Sequence, residues 1–374
     1  MIRLAVPAID DTDVDAVGEV LRTGYLVQGP SVAALEERVL PHTGAEHLVM
    51  VSSGTAALHL ALLALDVRPG DRVVVPTYSW VATANVGEVC GAEVVFVDID
   101  PRTFAMDPAA LAAALERLHG DGGGPVRAVI PVHPFGLMAD MTAISEVCSR
   151  WEVPVVEDAA CALGATQDGR PAGSWGDMGC FSFHPRKAVT TGEGGGVTTG
   201  DPRLDRRLRA LRNHGLDPEA TGPDFVLPGL NYRMTEFQAA LGLVQMGRFE
   251  ALLADRRRGA SRYDELFEGT SVLSPTVPAG FEHSYQSYVV LLPEEVAPRR
   301  ARLIAALREE GIESTIGTWH IPLTTYWSQR YGFRRGDFPT TDAVFDRSLT
   351  IPLGAHVSAE DQEVVVEAVL RHCR

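Results

Sequence analysis

Lysine occurs only once in this chain, at a position where its amine could take part in a reaction. Of the 33 basic residues, every one except Lys187 is an arginine. Arginine stays protonated, whereas a lysine amine can lose its proton and condense with a carbonyl. Lys187 lies between an apolar run, Gly179–Phe183, and the glycine-rich stretch Gly192–Gly196. These neighbours predict a strand that opens into a site, and they favour a Schiff-base lysine over a stray surface lysine.

Two further residues could serve a ring-shaped cofactor. Asp158 ends the apolar run that starts at Val153. An acid there either caps a helix or acts as the fixed anion that keeps a pyridinium nitrogen protonated. Trp80 closely follows the apolar run Val73–Pro76, and it could stack on a ring, although a lone tryptophan is more often part of a core.

The stretch Ser52–Thr55 lies where a predicted strand meets a predicted helix. The free N–H groups and the positive dipole end of a helix N-terminus bind phosphate, and serine or threonine also serves there as an ordinary cap. Each of these features is weak alone. Together with Lys187, Asp158 and Trp80, the stretch completes what pyridoxal phosphate needs, which is a Schiff-base lysine, a ring-nitrogen anion, a stacking aromatic residue and a phosphate pocket.

The elements that must position these residues alternate along the first part of the chain. Valine-rich strands and helices alternate in the order 48–51, 55–65, 72–76, 81–90, 94–97, 108–118, 126–132, 141–151 and 153–157. This pattern predicts an α/β fold with a mostly parallel sheet covered by helices on both faces. Ligands bind at the carboxyl ends of such strands, where Thr55, Trp80 and Asp158 are expected.

The chain changes character beyond Asp201. We predict a helix at 202–212, one long helix over 235–267, a strand at 288–292, a helix at 299–310 and a last helix at 358–370. Ser31 and Ser358 are expected to cap helices, and the run Arg256–Arg258 is expected on a solvated helix face. The pattern predicts a large α/β domain at 1–240 and a smaller C-terminal α+β domain at 241–374.

Composition excludes several classes of function. The net charge of −16 argues against non-specific binding to nucleic acid or to an anionic membrane. The five cysteines are widely spaced, without a C-x-x-C pair, which indicates reduced thiols and no metal site. The sequence has neither a signal-peptide pattern nor an apolar run of membrane-spanning length, so we expect a cytoplasmic protein.

At this point the chain resembles the DegT/DnrJ-type sugar aminotransferases, which are pyridoxal-phosphate enzymes of fold type I. The resemblance covers nearly the whole chain. It is carried by the segments Gln28–Pro30, Ser53–Leu58, Pro76–Trp80, Val97–Asp100, Glu157–Ala160, Phe181–Lys187, Gly192–Gly195 and Asn231–Met234.

The resemblance implies a role for each matching residue. Lys187 would form the internal aldimine and then move the proton, Asp158 would pair with the ring nitrogen, and Trp80 would stack on the ring. The phosphate would be bound by Gly54, Thr55 and Ser182, and by Asn231 of the neighbouring subunit in a homodimer. The family usually has Gln or His where this chain has Cys161, near the ring hydroxyl; a cysteine there is either a weaker hydrogen-bond partner or a small packing residue. Substrate contacts are expected from His184, Tyr232, Arg233 and His320.

The activity that the resemblance implies is transfer of an amino group from an amino acid, L-glutamate, to a nucleotide-linked keto sugar in amino-sugar or antibiotic biosynthesis. A 4-keto-6-deoxyhexose is the expected sugar. Amination at C3, or of a ketocyclitol, would keep the mechanism. A different fold-type I reaction, such as aldol cleavage, would keep the cofactor and need no amino donor. A non-enzymatic regulator that binds the cofactor is the most distant possibility.

Overall fold

The computed structural model describes residues 1–374. The helices are α1 Asp11–Thr23, α2 Pro30–Val39, α3 Gly54–Ala64, α4 Ala82–Val89, α5 Pro108–Gly120, α6 Met141–Ser149, α7 Pro202–Arg212, α8 Glu236–Gly247, α9 Phe249–Phe267, α10 Arg300–Glu309, α11 Thr325–Tyr331, α12 Pro339–Arg347 and α13 Ala359–Cys373. None of these helices combines the length and the apolar character needed to cross a membrane.

The strands are short and occur throughout the chain. They are β1 His47–Val51, β2 Arg72–Pro76, β3 Tyr78–Ser79, β4 Glu93–Val97, β5 Val126–Val129, β6 Val156–Asp158, β7 Thr166–Gln167, β8 Arg170–Pro171, β9 Met178–Ser182, β10 Gly195–Thr199, β11 Phe281–Glu282, β12 Tyr288–Leu291, β13 Thr315–Ile316, β14 Trp319–His320 and β15 Ser348–Ile351.

The central sheet has the strand order β4-β2-β5-β6-β9-β10-β1. Its two halves, β4-β2-β5 and β6-β9-β10-β1, meet through parallel bridges from Val129 to Val155 and from Val132 to Asp158. Only β10 runs antiparallel to its neighbours. The prediction of a mostly parallel α/β sheet is therefore confirmed.

Both faces of this sheet are buried. In β1, Leu48 and Met50 belong to one hydrophobic core, whereas Val49 and Val51 belong to another. Successive side chains of a strand point to opposite faces, so these two cores lie on opposite sides of the sheet. The valine-rich strands follow from this arrangement, because a strand covered on both faces has no solvent-facing positions.

A third core belongs to the C-terminal part of the chain. It joins α9, α10 and α13 to the antiparallel sheet β12-β15-β13 and includes Tyr263, Tyr288 and Val365. The start of α9 packs elsewhere, because Phe249 and Leu253 belong to one of the two cores of the central sheet. The proposed domain boundary at residue 240 stays a prediction.

Three local predictions were wrong. The single helix over 235–267 is two helices, which separate at Arg248 (φ −110°, ψ 4°). Ser31 lies inside α2 and does not cap it; instead the buried carboxylate of Glu236 accepts the backbone N–H groups of Gly29, Ser31 and Val32 at 2.6, 2.8 and 3.1 Å. Arg256 is only 9 % exposed and is not on a solvated face. The Ser358 cap is confirmed.

Candidate active site

Lys187 lies in the turn that follows β9. Its backbone N–H donates to the carbonyl of His184 at 2.8 Å, which closes the turn. Its side chain is half-buried, and Nζ donates to Sγ of Cys161 at 3.0 Å. Cys161 follows the end of β6, and β6 is the parallel neighbour of β9. The amine therefore lies at the carboxyl edge of the sheet, where the sequence predicted a site.

Asp158 is the last residue of β6 and is held at the same edge. Its backbone N–H donates to the carbonyl of Pro131 at 2.8 Å. The carboxylate is 6 % exposed, and Oδ2 accepts a hydrogen bond of 2.7 Å from the hydroxyl of Thr83. The Thr83 hydroxyl lies 2.9 Å from that of Ser79. The carboxylate thus has a fixed orientation and an acceptor oxygen that can serve a cationic ring.

The N-terminus of α3 forms a possible anion cradle. Ser53 caps the helix, and its Oγ accepts the N–H of Ala56 at 3.1 Å. The N–H groups of Gly54 and Thr55 have no acceptor within the chain. A Cβ at Gly54 would lie 2.8 Å from Cβ of Ser182, so only glycine allows the helix end to approach β9 this closely. The two free N–H groups and the Ser182 hydroxyl suit a phosphate.

Trp80 follows β3 and is 62 % exposed. It is therefore not part of a core, which was the more ordinary expectation for a lone tryptophan. The next turn carries Thr83, which donates to Asp158. An exposed indole close in sequence to the residue that binds Asp158 is free to stack on a planar ring.

The other predicted residues lie in different surroundings. Asn231 is exposed, whereas the Tyr232 hydroxyl lies 3.0 Å from Nδ1 of His59 on α3. Arg233 donates to the side chain of Asn213 at 2.5 Å. His184 is half-buried; burial is the largest cause that lowers its pKa. These contacts occupy Tyr232 and Arg233 within the chain, and their roles toward a substrate stay predictions.

His320 lies inside the protein. It is 2 % exposed, and Nε2 lies 3.3 Å from Oδ1 of Asp342. Burial, as the largest cause, lowers the pKa of His320 even though the nearby carboxylate raises it. The neighbouring Trp319 is the exposed member of β14, at 42 %, and it pairs with Ser79 of β3. Trp319 rather than His320 thus presents its side chain to solvent beside the Ser79–Thr83 pair.

Sequence reasoning missed the groups that hold Asp158 and its neighbour in place. Ser79 could have been found from its place at the end of β3, whereas Thr83 lies inside α4 and gave no such signal. His133 directly follows the predicted strand 126–132 and Glu157 ends the predicted strand 153–157, but their pairing was not predicted. Nδ1 of His133 accepts the N–H of Ala139 at 3.1 Å, so Nε2 carries the hydrogen and donates to Glu157 at 2.9 Å. Glu157 also accepts three backbone N–H groups of residues 173–176.

These features fit pyridoxal phosphate. The amine of Lys187 and the carboxylate of Asp158 lie at one sheet edge, the open end of α3 meets Ser182, and Trp80 offers an exposed ring. A single lysine amine, a buried carboxylate and a possible anion cradle at one edge of a sheet of this topology are typical of the class of fold-type I pyridoxal-phosphate enzymes.

The comparison with protein families agrees with this class. The chain belongs to the DegT/DnrJ/EryC1/StrS aminotransferase family, whose model matches residues 7–370. It is therefore an aminotransferase that uses pyridoxal 5'-phosphate, and the prediction of family, fold, enzyme class and cofactor is confirmed.

Three named proteins are similar over most of the chain. GDP-perosamine synthase of Caulobacter vibrioides is 40 % identical, over 84 % of this chain and 83 % of its own. UDP-4-amino-4-deoxy-L-arabinose–oxoglutarate aminotransferase of Shewanella sediminis is 35 % identical, over 98 % and 97 %. UDP-N-acetyl-3-dehydro-alpha-D-glucosamine 3-aminotransferase of Acidithiobacillus ferrooxidans is also 35 % identical, over 98 % and 97 %.

A solved structure shows the same fold. Spr1654 of Streptococcus pneumoniae, in its PMP form, superposes with a TM-score of 0.92 at 30 % identity, and the alignment covers 100 % of this chain and 99 % of that one. The PMP form is the aminated form of the cofactor, so this neighbour binds the group that the site geometry fits.

Proposed function

We propose that this aminotransferase moves an amino group from L-glutamate to a keto sugar carried on a nucleotide, with a 4-keto-6-deoxyhexose as the sugar. The observation that carries the proposal is the placement of Lys187 and Asp158 at one sheet edge, beside the open end of α3. The relatives support the substrate class, because all three are named for nucleotide-linked sugars.

Each residue has a physical task in this proposal. Bound pyridoxal phosphate supplies the carbonyl carbon that takes up the amino group and the ring that delocalises the electrons of the substrate carbon. Lys187 holds the cofactor covalently and then moves the proton. Asp158, oriented by Thr83, keeps the ring nitrogen protonated. Trp80 excludes water from one ring face. Gly54, Thr55 and Ser182 bind the phosphate through N–H and hydroxyl donors.

The relatives favour two positions on the sugar. The Shewanella sediminis relative is named for a 4-amino sugar and for oxoglutarate, which supports both the C4 position and the glutamate donor. The Acidithiobacillus ferrooxidans relative is named for a 3-dehydro sugar and a 3-aminotransferase. Amination at C3 is therefore the second candidate. Cytoplasmic location and a role in antibiotic biosynthesis stay predictions.

The donor and the sugar can be tested in sequence. L-glutamate alone should change the visible absorption of the bound cofactor and release one equivalent of 2-oxoglutarate per site. No spectral change with glutamate would overturn the donor assignment. Nitrogen-labelled glutamate is then offered with 4-keto sugars, 3-keto sugars and ketocyclitols. Label in the 4-keto products alone supports the C4 proposal, and label in the 3-keto products alone replaces it with the second candidate.

We also propose a homodimer in which Asn231 completes the partner's phosphate site. Asn231 is exposed on the segment 213–233. The same segment carries the exposed apolar residues Phe225 and Val226. The exposed residues Tyr25–Val27 lie beside Thr235, which follows this segment in the chain, because Val27 forms a bridge with Thr235. Exposed apolar residues grouped in this way are typical of an interface.

Mixed subunits test the shared site directly. Lys187→Ala and Asn231→Ala should each be impaired as separate proteins. After the two are mixed and allowed to exchange subunits, the mixed dimer contains one site with native Lys187 from one chain and native Asn231 from the other. Activity above the sum of the separate variants supports the proposal. If a mixed dimer is shown to form and its activity does not exceed that sum, Asn231 belongs to the site of its own chain or lies outside the site.

A further inference from the structure

The contact between Cys161 and Lys187 joins a thiol to the only lysine amine of the chain. The distance from Nζ to Sγ is 3.0 Å. Cys161 is held in place, because its carbonyl accepts a hydrogen bond of 3.1 Å from the buried hydroxyl of Ser284. Its side chain is half-buried, so small solutes in the site can reach it. The pair is thus fixed, close and accessible.

The other four cysteines are poor competitors for an oxidant. Burial raises the pKa of Cys90 to about 11 and that of Cys148 to about 12. Burial is also the largest cause that raises the pKa of Cys373 to about 11, and it raises the pKa of Cys180 well above its ordinary value. Peroxides react with the thiolate, so these four thiols are disfavoured. None of them contacts an amine.

We propose that Cys161 and Lys187 form a peroxide-sensitive pair whose side chains become joined by a sulfur–nitrogen bond. The thiolate of Cys161 attacks one oxygen of the peroxide, the O–O bond breaks, and Cys161 becomes a sulfenic acid while one water leaves. The free amine of Lys187 then attacks the sulfur, the S–O bond breaks, and a second water leaves. In sum, one thiol, one amine and one hydrogen peroxide give the S–N bond and two waters. Two external thiols reverse the bond and leave as a disulfide.

The bond would take the lysine amine out of the reaction. This consequence rests on the proposed function, in which Lys187 is the residue that holds the cofactor. During transfer, the amine is free whenever the cofactor carries the amino group. The aminated enzyme should therefore be sensitive to peroxide, whereas the form with the cofactor attached to Lys187 should be protected. Sugar amination would then fall under oxidising conditions and recover with thiols.

Peptide mass spectrometry tests the bond. The enzyme is first loaded with pyridoxamine phosphate, which leaves the Lys187 amine free whatever the amino donor is, then treated with hydrogen peroxide and digested under non-reducing conditions. We expect the Cys161 peptide to be joined to the Lys187 peptide, with a mass two hydrogens below the sum of the two peptides. Dithiothreitol should separate the two peptides again. Cys161→Ser should abolish the joined peptide, whereas the matched control Cys90→Ser should retain it. Circular dichroism verifies that both variants are folded.

The same mass measurement can contradict the proposed sulfur–nitrogen bond. Recovery of Cys161 as a free thiol, or only as sulfinic or sulfonic acid, without the joined peptide would overturn the proposal. The mass readout does not depend on sugar turnover. A joined peptide in a protein that never aminates a sugar would contradict the proposed function and leave the Cys161–Lys187 pair established.

Discussion

The hydroxyl of Thr83 donates a hydrogen bond of 2.7 Å to Oδ2 of Asp158. It links the first turn of α4 to the end of β6 and so couples the segment that carries Trp80 to the carboxylate at the centre of the site. Thr83 itself is fully buried, and its hydroxyl lies 2.9 Å from that of Ser79. The Thr83 hydroxyl, which is itself held by Ser79, thus orients the carboxylate.

Removal of this hydroxyl should weaken cofactor binding. A hydrogen bond to a charged group contributes about 1.5–3 kcal/mol, so we expect Thr83→Val to raise the cofactor Kd roughly 10- to 100-fold. Thr83→Ser keeps the hydroxyl and should stay close to the native protein. Fluorescence titration with pyridoxal phosphate measures both. Equal Kd values for the two variants would mean that the hydroxyl does not act through Asp158.

The buried carboxylate of Glu157 should make the fold sensitive to acid. Burial by itself raises the pKa of Glu157, but the hydrogen bonds from His133 and from the backbone of Gly173 and Gly176 outweigh it and bring the pKa below its ordinary value of 4.5. The carboxylate therefore stabilises the fold above the unfolded-state pKa, and this contribution is lost as the pH falls through the lower folded-state pKa. Thermal unfolding from neutral pH to below about 4.5 should show a falling Tm. In Glu157→Gln the Tm should be lower at neutral pH and should change less over that range.

Arg256 and Arg258 form a matched pair on one helix. Arg256 is buried, and its guanidinium donates to the carbonyls of Tyr285 and Gln286 at 3.2 and 2.9 Å and approaches that of Lys187 at 3.5 Å. Arg258 is exposed and forms an ion pair with Asp255. We expect Arg256→Met to lower the free energy of unfolding by about 3 kcal/mol, because hydrogen bonds from a charged group are lost. Arg258→Met should change it by less than about 1 kcal/mol. Urea denaturation measures both, and similar losses would contradict the assignment.

Glu236 should stabilise the start of α2 more than Ser31 does. A helix cap contributes about 0.5–2 kcal/mol, and Glu236 accepts all three N–H groups at this helix end. Glu236→Ala should therefore cost at least that much, whereas Ser31→Ala should be nearly neutral. The same denaturation measurement compares them. A larger loss for Ser31→Ala would restore the cap that the sequence suggested.

The strands and helices of the central sheet were predictable because their signals are local. Apolar runs such as Val73–Val75 and helix starts such as Pro108 need no distant partner. Pairs that are far apart in the chain were not predictable. Glu236 caps a helix more than 200 residues away; it is separated from Gly29 by 207 positions in the sequence. A short window of sequence contains no trace of such a cap, and a serine at the helix start was the better local guess.

The same distinction applies to the site. Lys187, Asp158 and the stretch Ser52–Thr55 were marked by residue type and by position after a strand. The burial of His320 and the exposure of Trp319 depend on the pairing of β14 with β3, which are about 240 residues apart in the chain. The break at Arg248 was also missed, although Gly247, which ends α8, is a common signal for a helix end.

Borohydride reduction shows directly which amine holds the cofactor. The holoenzyme is reduced with borohydride, digested and analysed by mass spectrometry. Because Lys187 is the only lysine, a phosphopyridoxyl group on a side-chain amine can have only one position. We predict one such group per chain on Lys187 and none in Lys187→Ala. A reduced holoenzyme with an unmodified Lys187, or with the group only on the N-terminal amine, would contradict the account.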